Sequence, residues 1–378
     1  MDLRLPVLGL LAAQAIATIH VRLAGADHLR RLAGIVEAGY LAVPGPAAKG
    51  TLDTWQAAFC GGLFFTLTIG AGLTLLALLA VRLQRSRTPG GMRLHPATVA
   101  SWIVLIGLMN INGLSTAATA YAVLVPGAVF IGAAWWPDAA PPWSRRTAAV
   151  HLIALLLLAG IGARHFRTTL FSNIRDSLLL SSTVGVSINN FYYRYTLHAA
   201  QVFKSLDQML IRTCRIVGEN AHAAGADPLA DRLVRHDWLA VGAGLPTDMV
   251  IERNGTSLRL LHQGREILTV PEERFAARPG ASLKAFAAGV DRGAGLRGFA
   301  FVSLMAVVLL GGYGALYLPA RWAAGRFIPA PGAQATAALA AAAAGVALLV
   351  FAPWEARLPP SGAGGDQMLK AMLESEDA

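Results

Sequence analysis

Charge is scarce in this sequence. Asp, Glu, Lys and Arg make up 14% of its 378 residues, where an ordinary soluble protein has about 25%. Mean hydropathy is +0.51. These figures exclude a typical soluble globular chain and point to a membrane protein. Cysteine is almost absent: Cys60 and Cys214 are the two, and neither sits in a C-x-x-C or C-x-x-C-H pattern. That excludes a disulfide framework, a zinc ribbon and covalently attached c-type haem. Acidic residues are outnumbered, 22 against 32 Lys and Arg, for a formal charge of +10. In a membrane chain such a surplus belongs to arginine-rich loops facing anionic lipid. The expected partner is therefore the lipid bilayer, and nucleic acid is not expected.

Long uncharged runs are plentiful. They cover residues 5 to about 19, 54–81, 94–137, 147–163, 298–320 and 327–354. A bilayer core about 30 Å thick needs roughly 20 apolar helical residues per crossing, because unpaired backbone amides are not tolerated in hydrocarbon. The third run is 44 residues long and carries Asn110, Asn112, Gly113, Ser115 and Thr116 near its middle, so it reads as two crossings joined by a turn. Seven transmembrane helices result.

Arginine placement supports that count. With the long run divided, Arg82, Arg85, Arg87 and Arg93, then Arg145 and Arg146, then Arg321 and Arg326 all fall on one side, as short cytoplasmic loops require. The predicted topology is a multi-pass protein of the bacterial inner (plasma) membrane. Its N-terminus is cytoplasmic, and loop 22–56, segment 164–296 and the C-terminus lie outside. The first apolar run, with the small residues at 23–26, also fits a cleavable signal peptide.

The fold class is thus mainly α. Helices 1–5 occupy 1–163, an extracytoplasmic α+β domain 164–296, helices 6–7 residues 297–354, and a flexible tail 355–378. Within the domain, Leu178, Val202, Phe203, Leu206, Leu210 and Ile211 have helix-like spacing, with Asn189-Asn190 as a break. Alternation then changes to period two over 249–253, 256–261 and 266–270. Asn254-Gly255 and His262-Gln263-Gly264 are the turns of a three-stranded meander. Asn254 also heads an Asn-Gly-Thr sequon, but its position between two strands favours the turn. Three tyrosines surround one arginine at 192–195, which suits an interface or a stacked arginine. Residues 28–40 place Leu29, Leu32, Ile35 and Val36 on one helical face, either flat on the leaflet or over the domain. Residues 366–374 read as a short helix.

Chemistry is sparsely signalled. The predicted spans contain no Asp, Glu, Lys or Arg, which argues against proton- or sodium-coupled transport and intramembrane aspartyl proteolysis. No H-E-x-x-H, G-x-S-x-G or Walker loop occurs, so no catalytic or metal-binding residue is predicted. The adjacent His236 and Asp237 rarely would converge on one substrate atom. Histidines near the spans suggest haem b. His151 and His165 are fourteen residues apart, about 21 Å along one helical face, and His20 would pair with His165 as axial ligands. Asn110 and Asn112 would bind substrate if the polar turn were a broken transporter helix. The Trp135-Trp136 pair suits an interfacial aromatic belt. Gly70, Gly72, Gly311, Gly312, Gly314 and the alanine-rich stretch 335–347 predict close helix packing.

The leading expectation is a non-enzymatic membrane protein, a subunit or assembly factor that anchors an extracytoplasmic domain and binds other membrane or extracytoplasmic proteins. A transporter of a neutral or lipidic solute and a b-type haem electron-transfer subunit are the alternatives.

Overall fold

A computed structural model describes residues 3–37, 39, 53–85, 95–136, 145–165, 182–209, 212–217, 228–242, 244–245, 247–329 and 332–351. The chain is mostly helical and carries one five-stranded sheet. Six helical stretches are long and apolar enough to cross a membrane: Arg4–Glu37, Trp55–Gln84, Thr116–Trp135, Thr147–Arg164, Ala294–Ala324 and Gly332–Val350. Cα clustering divides the chain into two compact units, 1–142 with 192–308 and 143–191 with 309–378.

The first unit opens with α1 (Arg4–Glu37), one helix of 34 residues. It passes without interruption through the small residues at 23–26 and on into the predicted loop. The second stretch is α2 (Trp55–Phe65), a π-helical turn (Thr66–Gly70) and α3 (Ala71–Arg85). The long uncharged run does divide, into α4 (Pro96–Met109) and α5 (Thr116–Trp135), with Gly113 at φ 118° in the turn. With 14 residues, α4 is about 21 Å long and falls short of a full crossing. The expected seventh span is therefore a short apolar helix beside six long ones.

Small residues bring these helices together, as expected for part of the glycine set. A Cβ on Gly70 would lie 2.3 Å from that of Ala13, and one on Gly72 would lie 2.2 Å from Ser303 Oγ. By contrast, Gly311, Gly312 and Gly314 have open space where a Cβ would stand. Buried Gln14 ties α1 to the π turn. Its Nε2 donates to Phe59 O at 2.9 Å, and its Oε1 accepts from Thr66 Oγ1 at 2.7 Å. In α4, Trp102 Nε1 donates to Ala122 O of α5 at 2.6 Å. The apolar core includes Ile69, Leu73, Met109, Tyr121 and Val125.

The sheet belongs to the same unit. Its strands are β1 (Arg212–Val217), β2 (Trp238–Ala240), β3 (Met249–Asn254), β4 (Ser257–His262) and β5 (Arg265–Pro271), ordered β2-β1-β3-β4-β5. The meander β3-β4-β5 is antiparallel as expected. Gly255 takes φ 61° in the first turn, and Gln263 and Gly264 take 50° and 77° in the second. Positive φ at one or both loop residues is what a tight hairpin turn needs. Directly after the residues read as helix-like, 212–217 form β1, which runs parallel to both β2 and β3. A further short helix, α9 (Pro228–Val234), lies between β1 and β2 in the chain, and α10 (Glu272–Ala277) and α11 (Pro279–Val290) follow β5. The domain core gathers Cys214, Leu233, Trp238, Ile251, Leu258, Leu260, Phe275 and Phe286.

Before β1, the chain from Tyr192 makes a π-helical turn (Tyr192–Thr196), a single α turn, α8 (Leu197–Ala199), and two 3-10 turns (Ala200–Phe203 and Leu206–Gln208). The predicted break at Asn189-Asn190 is absent, since both lie inside helix α7 (Thr183–Phe191). Arg194 stacks 5.6 Å over the ring of Tyr195, and Tyr192 meets Phe64 edge-on at 6.5 Å. Leu178, Leu210, Ile211 and the tail 355–378 lie outside the described residues.

In the second unit, α6 (Arg145–His165) packs against α13 (Gly332–Phe351). Their contact is built from Ala154, Leu158, Ala341 and Ala342, together with Tyr313. The long helix α12 (Ala294–Ala324) contributes its residues from 309 onward to this unit.

Candidate functional site: a cationic cavity beside the domain

Within the first unit, a cavity of about 530 Å³ lies between α1, the 203–209 segment, the sheet domain and the first turns of α5 and α12. Its position follows from where the apolar stretches stop. His20 directly follows the uncharged part of α1, while α5 begins at Thr116 and α12 at Ala294. Polar and charged side chains therefore collect around the cavity, together with the apolar Val202, Phe203, Leu206 and Leu296.

The central polar contact is made by Asp248, whose side chain is 5% exposed and forms an ion pair with Arg31 of α1. Asp248 Oδ2 accepts from Thr213 N and Thr213 Oγ1, both at 3.0 Å. A carboxylate buried in this way is tolerated because donors surround it. The backbone carbonyl of Asp248 accepts from His262 Nδ1 at 2.8 Å. A carbonyl only accepts, so His262 carries its proton on Nδ1. Two further pairs line the cavity, Arg30 with Asp27 and Arg297 with Asp291. Arg297 also reaches Phe203 O at 3.3 Å.

Five cations, Arg30, Arg31, Lys204, Arg292 and Arg297, face three carboxylates in the lining. Lys204 and Arg292 have no carboxylate partner among the described residues. The N-termini of two long helices, α5 and α12, open onto the same space through Ser115, Ala117, Gly293 and Leu296. Both features favour negative charge inside.

Burial lowers the His198 imidazole below the usual histidine value. Burial, helped by Asp248, pushes the Cys214 thiol up to about 12. Cys214 is therefore held as a thiol within the domain core.

The predicted candidates are distributed as follows. His20 lines the cavity, with its ring 4.7 Å from Phe203 in an edge contact. His151 is buried in the second unit, with Nδ1 2.7 Å from Tyr313 Oη and its ring 4.9 Å from that of Tyr317. The backbone of His165 ends α6, but its side chain lies outside the described residues. The ring of His151 also meets that of Tyr313 edge-on at 5.8 Å. Asn110 spends its amide on the turn: Nδ2 donates to Ile106 O at 2.9 Å, and Oδ1 accepts from Ser115 N at 2.7 Å. Asn112 faces the β4–β5 turn across a second cavity of about 850 Å³ that also includes Gln263 and Arg292. Asp237 has φ 60° and lies 3.7 Å from Arg212. Among the described residues no cluster of three or more His, Cys, Asp or Glu is placed to hold a metal.

Sequence reasoning missed Arg31, Lys204, Asp248, Arg292 and Arg297. They come from four separate segments and form no motif. The usable signal was the strongly basic flank of the first apolar run at 30–31.

Together, six long apolar helices and a small α+β domain define a class, that of helical proteins suited by length and composition to a membrane. Comparison with protein-family models, characterised proteins and solved structures gives no match, so the functional argument rests on the residues themselves.

Proposed function

We propose that this chain is a non-enzymatic multi-pass protein of the inner (plasma) membrane. In this reading it holds its α+β domain on the extracytoplasmic side, as a subunit or assembly factor of a larger membrane complex. The observation that carries the reading is the fastening of the domain. Asp248, just before β3, is paired to Arg31 of α1, and Arg297 of α12 is paired to Asp291 at the end of α11. A domain clamped to the helices at two points presents a fixed surface, which suits docking better than a domain on a free linker. Arginine asymmetry supplies the orientation, with the basic loops on the cytoplasmic face. Exposed apolar side chains such as Leu152, Ile153, Phe301 and Val302 suit lipid or neighbouring subunits.

Transport of a neutral or lipidic solute is less well supported, because Asn110 is committed to the turn that joins α4 and α5. The test is affinity purification of the full chain in a mild detergent. Stable co-purification of membrane or extracytoplasmic proteins, reduced by exposed substitutions on the domain, is the expected result. A chain that purifies alone at native expression levels contradicts the proposal.

A further inference from the structure

The cationic cavity carries an inference independent of the scaffold reading. Its charge is not internally balanced. Arg30, Arg31 and Arg297 each have a carboxylate, whereas Lys204 and Arg292 have none among the described residues. Two helix N-termini add positive potential at the same place. A half-open cavity with excess cations and two helix ends favours an anion with several acceptor oxygens, and guanidinium and ammonium groups are suited to phosphate. Phe203, Leu206 and Leu296 add apolar surface to the same lining. The cavity also lies where the uncharged part of α1 ends and α5 and α12 begin, the level at which lipid headgroups meet a membrane helix.

We propose that this cavity is a phosphate-binding site in which Lys204 and Arg292 engage a phosphate group, carried by an anionic lipid headgroup or present as free phosphate. Arg31 and Arg297 hold the walls in place and are already paired, so the two unpartnered cations provide the affinity.

The test uses the purified full chain in an uncharged detergent, with binding followed by native mass spectrometry and thermal shift. The probes are phosphatidylglycerol, phosphatidylcholine and inorganic phosphate. Phosphatidylglycerol is expected to bind at least about tenfold more tightly than phosphatidylcholine, or inorganic phosphate to bind at millimolar concentration. In either case Lys204→Gln with Arg292→Gln weakens binding about tenfold or more, while Lys204→Arg with Arg292→Lys retains it. Replacing Arg235 and Arg274 by Gln, the same loss of charge at exposed positions outside the cavity, leaves binding unchanged. Competition of inorganic phosphate with phosphatidylglycerol assigns the free anion as a ligand, and lack of competition assigns the lipid headgroup. If the Arg235/Arg274 pair weakens binding as much as the Lys204/Arg292 pair, or if no phosphate-bearing probe responds to Lys204 and Arg292, the proposal is overturned. Neither result depends on whether partner proteins co-purify.

Discussion

Arg31 and Asp248 are separated by 217 positions in sequence and form an ion pair that joins the C-terminal part of α1 to the residue just before β3. Asp248 is almost wholly buried and Arg31 about one-quarter exposed, with side-chain exposures of 5% and 27%. The carboxylate also accepts two hydrogen bonds from Thr213. One residue thus connects a membrane-type helix, a parallel strand and a hairpin.

Removing one member of such a pair leaves a buried charge and buried donors unsatisfied. Asp248→Ala is predicted to lower the stability of the folded chain by about 3 kcal/mol, the lower end of the range because Arg31 retains some access to water. Thermal unfolding in detergent, combined with limited proteolysis of the domain, measures it. Arg30→Ala removes an exposed pair of α1 instead and is expected to cost less than about 1 kcal/mol.

Gly295 and Gly298 provide a paired test of helix contact. A Cβ on Gly295 would stand 2.4 Å from Leu108 O and 2.6 Å from Met109 O, both backbone atoms at the end of α4. A Cβ on Gly298 would meet open space. Gly295→Ala is predicted to destabilise by about 1–3 kcal/mol through overpacking. Gly298→Ala is predicted to be neutral or slightly stabilising, from its helix propensity. The difference in melting temperature between the two variants is the readout.

The thiol of Cys214 is buried and its ionisation is displaced from 9.0 to about 12, by burial and then by Asp248. In a Cys60→Ala background, maleimide labelling at pH 7 to 8 is expected to be negligible in the folded chain and complete after denaturation. The sign of the linkage follows from proton binding. Between about pH 9 and 12 the unfolded chain releases a proton that the folded chain retains, so this group's stabilising contribution is present below pH 9 and declines as pH rises through that window. A Cys214→Ala variant, though less stable overall from the cavity it leaves, should show a shallower alkaline decline.

Asn110 closes the α4–α5 turn through Ile106 O and Ser115 N. Asn110→Ala is predicted to cost about 1 kcal/mol, as for loss of a helix-end hydrogen bond. Measured as a change in thermal stability with no change in solute flux, this outcome places the residue in the turn. Loss of uptake at unchanged stability would instead favour transport.

The sequence made some of this architecture legible and hid the rest for physical reasons. The meander could be read because Gly255 and Gln263-Gly264 supply positive-φ turns between alternating strands. Strand β1 could not, since its six residues adjoin apolar positions spaced like a helix and its two neighbours come from later in the chain. β2 has three residues, too few to show any period. The polar centre at 110–115 correctly divided the long run, but hydropathy does not report where a helix begins, so the shortness of α4 was invisible. The cavity was invisible for a related reason: α1, the 203–209 segment, β3 and the start of α12 meet only after folding. Of the residues singled out in advance, His20 lies in its wall, because the end of an apolar run is where polar groups first become available.

The orientation of the domain is the central claim, and impermeant thiol labelling in intact cells tests it most directly. The background is Cys60→Ala with Cys214→Ala, and single cysteines replace the exposed Arg235 of the domain or Arg87 of the basic segment after α3. The account predicts labelling at position 235 in intact cells and at position 87 only after the membrane is permeabilised. Labelling at 87 with protection at 235 would contradict it.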